Sequence, residues 1–200
     1  KHIALGFAGI ELITTLSAVF IFQSDKSDFQ LVESYSWIPN LHIEFLLGVD
    51  GFSILFLPLS ALLTLIVVGA SWNSVQTLPR FHFALLLILE SITMGVFTAL
   101  DMMLFFLFWE LTLPPIFFLI GLWGIGPHRR RAAMKYTLYM LFAGVPLLFA
   151  IILLAINHAL QTGGNIPENL SFSFPVLMDT GIPTKMQAII FVLMLIVFGV

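Results

Sequence analysis

Six long apolar runs constrain the fold of this chain more than any other feature of its sequence. They cover residues 3–22, 52–71, 81–100, 102–123, 132–156 and 186–200. A helix needs about 20 apolar residues to cross the hydrocarbon core of a bilayer. Of the 200 residues, 60% are hydrophobic and 10% are charged, and a soluble domain of this size could not bury so much apolar surface. The sequence therefore predicts a membrane protein and excludes a soluble enzyme and a disordered chain.

The predicted fold is all-α, a polytopic bundle of transmembrane helices that forms a single membrane domain over residues 1–200. Helices satisfy their own backbone hydrogen bonds in lipid, and the short alternating segments of a membrane β-barrel are missing. The last run, 186–200, would extend only ~22 Å as a helix. Either this sixth helix is broken or the sequence stops inside it. We expect it to be incomplete, and we expect the same kind of cut before Lys1, which is followed at once by a span.

Lysine and arginine residues are concentrated in the loops of one side. If the spans alternate, that side holds Lys1, Arg80, Arg129, Arg130, Arg131 and Lys135, and the other side holds Lys26 and Lys185. The positive-inside rule then places loops 72–80 and 124–131 on the cytoplasmic, stromal or matrix side, with the acidic loop 23–51 opposite. The three consecutive arginines are predicted to fix this topology and to contact lipid phosphates.

Several kinds of site are excluded by composition and spacing. Cysteine is absent, which excludes disulfides, thiolate metal sites, iron–sulfur ligation and cysteine nucleophiles. The five histidines are at least 30 residues apart in the chain, so no metal pair at helical spacing occurs. Glycine-rich phosphate loops, nucleophile–base–acid motifs and a nucleic-acid footprint are also missing. We therefore expect no cofactor or metal site in this chain and no nucleic-acid partner.

Glu110 is the strongest candidate for chemistry. It lies ~13 Å from the start of the run 102–123 and so near the middle of the membrane. An ionisable side chain at that depth costs at least ~2.5–3.5 kcal/mol and indicates function by default, although a neutral glutamate at a helix contact is the alternative. Pro114 and Pro115 remove the helical donors of the Glu110 and Leu111 carbonyls. The resulting kink offers water a place to bind, or it serves the structure alone.

Four other ionisable residues have two interpretations each. Glu90 and Glu11 lie inside their runs, where each could join a proton relay or form a protonated contact between helices. Asp101 could belong to the same relay or be a polar turn residue. Lys135 lies one turn into the run 132–156, where it could extend to the membrane surface or point inward as the first stop of a proton path.

Several motifs occur in a familiar order. Residues 47–53 read LGVDGFS, residues 95–111 read GVFTALDMMLFFLFWEL, residues 121–124 read GLWG and residues 130–139 read RRAAMKYTLY. With Pro114 and Pro115, they resemble the antiporter-like membrane subunits of respiratory complex I, the type-1 NAD(P)H dehydrogenase. The resemblance runs from about residue 41 to the end and is strongest to the chain-4 or M-type subunit, called D-type in cyanobacteria and chloroplasts.

The resemblance implies a fragment of a fold with about fourteen helices and two inverted five-helix repeats. Such subunits translocate protons, driven by quinone reduction elsewhere in a NAD(P)H or ferredoxin:quinone oxidoreductase complex. The resemblance therefore implies other membrane subunits as partners, together with lipid, rather than a free monomer. Quinone (plastoquinone in thylakoids), flavin and iron–sulfur clusters are expected in other subunits and not in this chain. The expected location is a bacterial or mitochondrial inner membrane, or a cyanobacterial or chloroplast thylakoid.

The resemblance also assigns roles to residues. The essential family glutamate matches Glu110, its partner lysine is expected just after Val200, and Lys135 is expected on the cytoplasmic-side approach. The segments 85–90 and 112–115 are less like a photosynthetic D-type subunit, which leaves open a divergent cyanobacterial paralogue linked to carbon dioxide uptake. Two other functions also stay open: a subunit of a multi-subunit sodium/proton antiporter, and a structural subunit that passes no protons.

Overall fold

The computed structural model describes residues 1–26, 28–164 and 166–199. The elements follow the order α1 (His2–Ile21), β1 (Gln30–Ile38), a 3-10 turn (Pro39–Leu41), β2 (Ile43–Val49), α2 (Ser53–Ser74), α3 (Pro79–Thr98), α4 (Met102–Leu111), α5 (Leu113–Trp123), α6 (Arg129–Thr162), α7 (Phe174–Met178) and α8 (Thr184–Gly199). The chain is mostly helical, which confirms the predicted fold class.

Five helical stretches are long and apolar enough to cross a membrane within the described ranges. They are α1, α2, α3, the stretch Met102–Trp123 that contains α4 and α5, and α6. Each of these stretches coincides with a predicted run, and α8, a shorter apolar helix, coincides with the sixth. Helix α6 is longer than the run 132–156, since it includes the arginines at its start and polar residues up to Thr162. Hydropathy misses such polar helix ends.

The acidic loop 23–51 contains secondary structure that the sequence analysis did not predict. Strands β1 and β2 pair as a two-stranded sheet, and a 3-10 turn joins them. Strand β1 is exposed along most of its length, whereas β2 buries Ile43, Leu46 and Val49. Both strands are too short to stand out in a search for long apolar runs.

The chain divides into two compact units. Unit 1 comprises Lys1–Leu31, Gly48–Thr98 and Leu111–Thr137. It packs α1, α2, α3 and α5 together. One core cluster joins Ala4, Val68 and Phe83 from three different helices, and a second cluster is built on Val49, Ile54 and Leu57. These clusters hold the helices of unit 1 side by side.

Unit 2 comprises Val32–Leu47, Ala99–Glu110 and Leu138–Val200. Its core is built on Leu147, Ile151 and Ala155, which follow one another at one-turn intervals on α6. Buried residues from β2, the segment before α7 and α8 complete this cluster: Ile43, Phe172 and Val197. The C-terminal half of α6 is therefore the centre of unit 2. The prediction of one domain over residues 1–200 stays a prediction.

Candidate functional site

Glu110 lies in unit 2, one residue before the end of α4. Its Oε1 atom is buried and has no hydrogen-bond partner within the described parts of the chain. The carboxyl group fills the space beside Gly144 of α6, where an added Cβ would clash with Oε1 and lie 3.0 Å from Cδ. A side chain at position 144 would displace this carboxyl, so Gly144 is a positioning residue for Glu110.

Proline residues lie close to this contact in both parts of the chain that form it. Helix α4 ends at Leu111 and α5 begins at Leu113, with Pro114 and Pro115 in its first turn. Helix α6 continues through Pro146, two residues after Gly144. Because proline has no backbone N–H, the carbonyls of the residues four positions earlier lose their helical donor. The Glu110 carboxyl thus lies in a region where the regular helical hydrogen bonding is incomplete.

Glu90 lies in unit 1, in the middle of α3, and only 2% of its surface is exposed. The carboxyl group of Glu11, from α1, lies within hydrogen-bonding reach of it. Apart from Glu11, neither carboxyl oxygen of Glu90 has a hydrogen-bond partner within residues 1–26, 28–164 and 166–199. Glu90 also lines a cleft of about 210 Å³ between α2 and α3. The sequence identified both glutamates, but it could not show that they face each other.

Asp101 lies between two spans and caps the start of α4. Its Oδ1 accepts hydrogen bonds from the backbone N–H groups of Met103 (2.8 Å) and Leu104 (3.1 Å), and its Oδ2 accepts one from Glu44 of β2 (3.1 Å). The side chain is 1% exposed. Burial raises the pKa of Asp101 above its usual value, and the three N–H donors partly oppose that shift. In the structure Asp101 is an N-cap that ties β2 to α4; its predicted relay role stays a prediction.

Asp50, in the motif at residues 47–53, forms a similar cap for α2. Its Oδ1 accepts hydrogen bonds from the N–H groups of Ser53 (2.6 Å) and Phe52 (3.2 Å). Its own N–H donates to the Ser53 hydroxyl (3.0 Å). Partial burial raises the pKa of Asp50, but the hydrogen bonds from Ser53 and Phe52 outweigh it, so the pKa lies below its ordinary value. The Asp50–Ser53 pair is thus a reciprocal helix cap.

Four basic residues of unit 1 lie on its surface. Arg129, Arg130, Arg131 and Lys135 are all exposed. Arg130 lines a second cleft, of about 220 Å³, together with Phe117 and Phe118. The exposure of Lys135 is compatible with a side chain that extends to the membrane surface, and its predicted place on a proton path stays a prediction.

Two residues, Gly144 and His82, have surroundings that the sequence does not reveal. Gly144 carries no signal in the sequence because a glycine does not reveal which distant side chain fills the space beside it. His82, near the start of α3, is 7% exposed, and both ring nitrogens lack a hydrogen-bond partner in the described chain. Its ring stands edge-on to Trp123 at 4.7 Å between centroids. Within the described ranges, no group of three or more His, Asp or Glu residues could hold a metal ion.

The chain is similar to several known proteins. "NAD(P)H-quinone oxidoreductase chain 4 3" of Picosynechococcus sp. is 36% identical over 179 residues, which cover 90% of this chain and 31% of the relative. Respiratory complex I from Thermus thermophilus with bound NADH contains a chain with a TM-score of 0.79 and 24% identity, covering 98% of this chain and 38% of that chain. The Mrp complex from Dietzia sp. DQ12-45-1b contains another, with a TM-score of 0.79 and 22% identity, covering 97% of this chain and 20% of that chain. The two structures show a shared fold.

The chain spans about a third of the length of the curated relatives it matches. The family model described as "NADH:quinone oxidoreductase/Mrp antiporter, TM" matches residues 99–200. This match contains Glu110, its helix break at Pro114 and Pro115, and the Gly144 contact. It confirms the family resemblance expected from the motifs around Glu110. The chain therefore belongs to the NADH:quinone oxidoreductase/Mrp antiporter transmembrane family.

Proposed function

We propose that the protein is a proton-translocating membrane subunit of a NAD(P)H or ferredoxin:quinone oxidoreductase complex. It works with other membrane subunits in an energy-transducing membrane, and it couples quinone reduction elsewhere in the complex to proton movement. Its family membership and its relatives named as quinone oxidoreductase chains support this function. The chain itself supplies no redox centre; the absence of cysteine from the sequence supports that assignment, since thiolates ligate iron–sulfur clusters.

One observation carries the proposal: a carboxyl group with a buried, unpartnered oxygen in the middle of a membrane-spanning stretch. Glu110 Oε1 accepts no hydrogen bond from the described residues. A purely structural glutamate would be expected to satisfy that atom, because an unpaired buried polar group costs about 1–3 kcal/mol. An intramembrane carboxyl that keeps a free acceptor can take up a proton from water and release it again.

The proposed mechanism is a change in the electrostatic environment of Glu110. An opposite charge nearby favours the ionised carboxylate, and its removal favours the protonated acid. The lysine that the family resemblance places just after Val200 would supply this charge. When the lysine moves away, Glu110 takes up a proton, and when it returns, Glu110 releases it. Lys135 would act on the entry side, and Asp101 and Glu90 are candidate relay groups.

Glu110→Gln tests the proposal, because glutamine keeps the size and hydrogen bonding of glutamate but cannot titrate. We expect the assembled complex to lose most of the proton translocation that depends on this subunit, and Glu110→Asp to keep part of it. The measurement is quinone-driven proton uptake into vesicles, normalised to assembled complex. Full proton uptake in Glu110→Gln, together with tolerance of Glu110→Leu, would instead assign Glu110 a structural role.

A second candidate function is a subunit of a multi-subunit sodium/proton antiporter. The family model covers both kinds of protein, and the chain of the Mrp complex matches with the same TM-score as that of complex I. The two functions differ in their energy source. Proton uptake that requires quinone reduction favours the oxidoreductase, whereas proton flux driven by a sodium gradient without any redox substrate favours the antiporter.

A further inference from the structure

The mechanism above names Glu90 as a candidate relay group but does not say which group shares a proton with its carboxyl. Glu90 is 98% buried within unit 1, and apart from the Glu11 carboxyl its oxygens lack a hydrogen-bond partner among the described residues. Carboxyl oxygens without an N–H or O–H donor in the middle of a spanning helix are costly. Such a group is expected either to be protonated or to bind something that the protein alone does not supply.

The helices that pack against α3 offer Glu90 no positive charge. They are α1, α2 and α5. Helices α2 and α5 contain no ionisable residue, and α1 contains His2 and Glu11 alone. On α3 itself, Arg80 and His82 lie ten and eight residues from Glu90, or ~15 and ~12 Å along the helix axis. The ionisable group that faces Glu90 is therefore another carboxyl, that of Glu11.

The cleft beside Glu90 has the chemistry to exchange a proton with water. Its volume is about 210 Å³, and Ser60 and Thr64 of α2 and Thr93 of α3 line it along with apolar side chains. A water molecule takes about 30 Å³ of liquid volume, so the cleft has room for several, and hydroxyl and carboxyl groups supply the partners that ordered water needs. The carboxyl of Glu90 is thus buried in protein but adjoins a space that can hold water.

We propose that Glu11 and Glu90 form a second proton-binding site, in which one proton is held between the two carboxyl groups. One carboxyl is the neutral acid and donates its O–H to the other, which is the carboxylate. The pair therefore carries one negative charge instead of two, and two like charges this close cannot both ionise at low cost. The proton leaves to, and arrives from, water in the cleft lined by Ser60 and Thr64. This site rests on the proposed function for its role in transport, but its proton binding does not depend on Glu110.

Infrared spectroscopy of the assembled complex in its membrane tests the site. A protonated carboxyl has a C=O stretching band that ionised carboxylates lack. If the two groups share one proton, Glu11→Gln and Glu90→Gln should each change the frequency and the titration of this band, because the remaining carboxyl then hydrogen-bonds to an amide instead of a carboxylate. The double variant, which keeps neither carboxyl, should remove the band. Glu33→Gln, a matched change at an exposed strand residue, should leave the band intact.

Two results would overturn this site. The first is a Glu90 band whose frequency and titration are the same in Glu11→Gln as in the wild type, which would mean that Glu90 binds its proton independently. The second is a band whose titration shifts with added sodium chloride but not with choline chloride, which would assign the site to sodium. The Glu110→Gln experiment is separate: loss of proton uptake there with independent Glu11 and Glu90 bands refutes this site alone. A shared band with full proton uptake in Glu110→Gln refutes the Glu110 mechanism alone.

Discussion

Four of the eleven carboxylates of this chain fall into two groups with opposite surroundings. Asp50 and Asp101 lie between spans, and each accepts two or three backbone N–H bonds at the start of a helix. Glu90 and Glu110 lie inside spans, and their buried oxygens accept none from the described residues. The oxygens of both aspartates therefore accept hydrogen bonds that stabilise the fold, whereas the glutamates keep acceptors free for a proton. A proton-binding carboxyl can therefore be sought by asking which of its oxygens accept hydrogen bonds, and not by its position in the sequence.

The two capping aspartates also differ from each other. Asp101 is buried, and its pKa is raised because desolvation outweighs its three donors. Asp50 is less buried, and its pKa is lowered because its hydrogen bonds outweigh desolvation. As the pH rises from the unfolded-state pKa of Asp101 to its folded-state pKa, the contribution of Asp101 to the free energy of unfolding therefore decreases. The contribution of Asp50 instead decreases as the pH falls through its folded-state pKa. The same capping geometry thus gives the stability of the protein opposite pH dependences, according to how deeply each carboxyl group is buried.

The largest expected effect on stability comes from Asp101→Ala. The change leaves the N–H groups of Met103, Leu104 and Glu44 without their acceptor, and at about 1 kcal/mol for each bond the loss is about 3 kcal/mol. The measurement is thermal unfolding of the solubilised complex. Asp25→Ala, at an exposed loop position, is the control and should be nearly neutral. Unchanged stability with lost proton uptake would contradict the capping role and favour the relay role.

Gly144→Ala is expected to reduce proton uptake without loss of assembly. The new Cβ would displace the Glu110 carboxyl, which ends a flexible side chain and can move aside. Misplacement by about 1 Å can cost a site up to 10²-fold in rate, so we expect a decrease on the order of tenfold. Quinone-driven proton uptake per assembled complex is the measurement. Gly69→Ala, where no heavy atom lies within 4 Å of the added Cβ, is the matched control. Wild-type uptake in Gly144→Ala would show that Glu110 tolerates displacement.

Asp50→Ala should cost less than Asp101→Ala, about 1 kcal/mol, as is usual for the loss of a helix cap. Because the pKa of Asp50 is lowered in the folded protein, the stability difference between wild type and variant should be full above the ordinary aspartate pKa. It should shrink as the pH falls through the folded value. Unfolding midpoints of both proteins across an acid pH series measure this difference. A difference that does not change with pH would mean that the ionised carboxylate is not what caps α2.

Part of this comparison could be read from the sequence, and part could not. Hydropathy predicts the spanning helices, and Pro114 predicts the break after Leu111, because both depend on properties of neighbouring residues. The Asp50–Ser53 cap is likewise local. The pairing of Glu11 with Glu90 and the Gly144 space beside Glu110 depend on which helices pack together, and one sequence does not carry that information. The bond from Glu44 to Asp101 joins residues 57 positions apart, beyond the reach of any local pattern.

The smallest expected effect concerns Lys135, the basic counterpart to these acids. We expect Lys135→Ala to lower proton uptake more than Lys135→Arg does, because arginine keeps a cation that can tune proton entry. Lys135 is exposed, and an exposed charge interacts with a partner by about 1 kcal/mol or less, so the decrease should be a fewfold at most. Lys185→Ala, on the opposite side of the predicted topology, is the control. If Lys135 only extends to the membrane surface, both variants should pump like the wild type. That result would leave proton entry to the carboxylates alone.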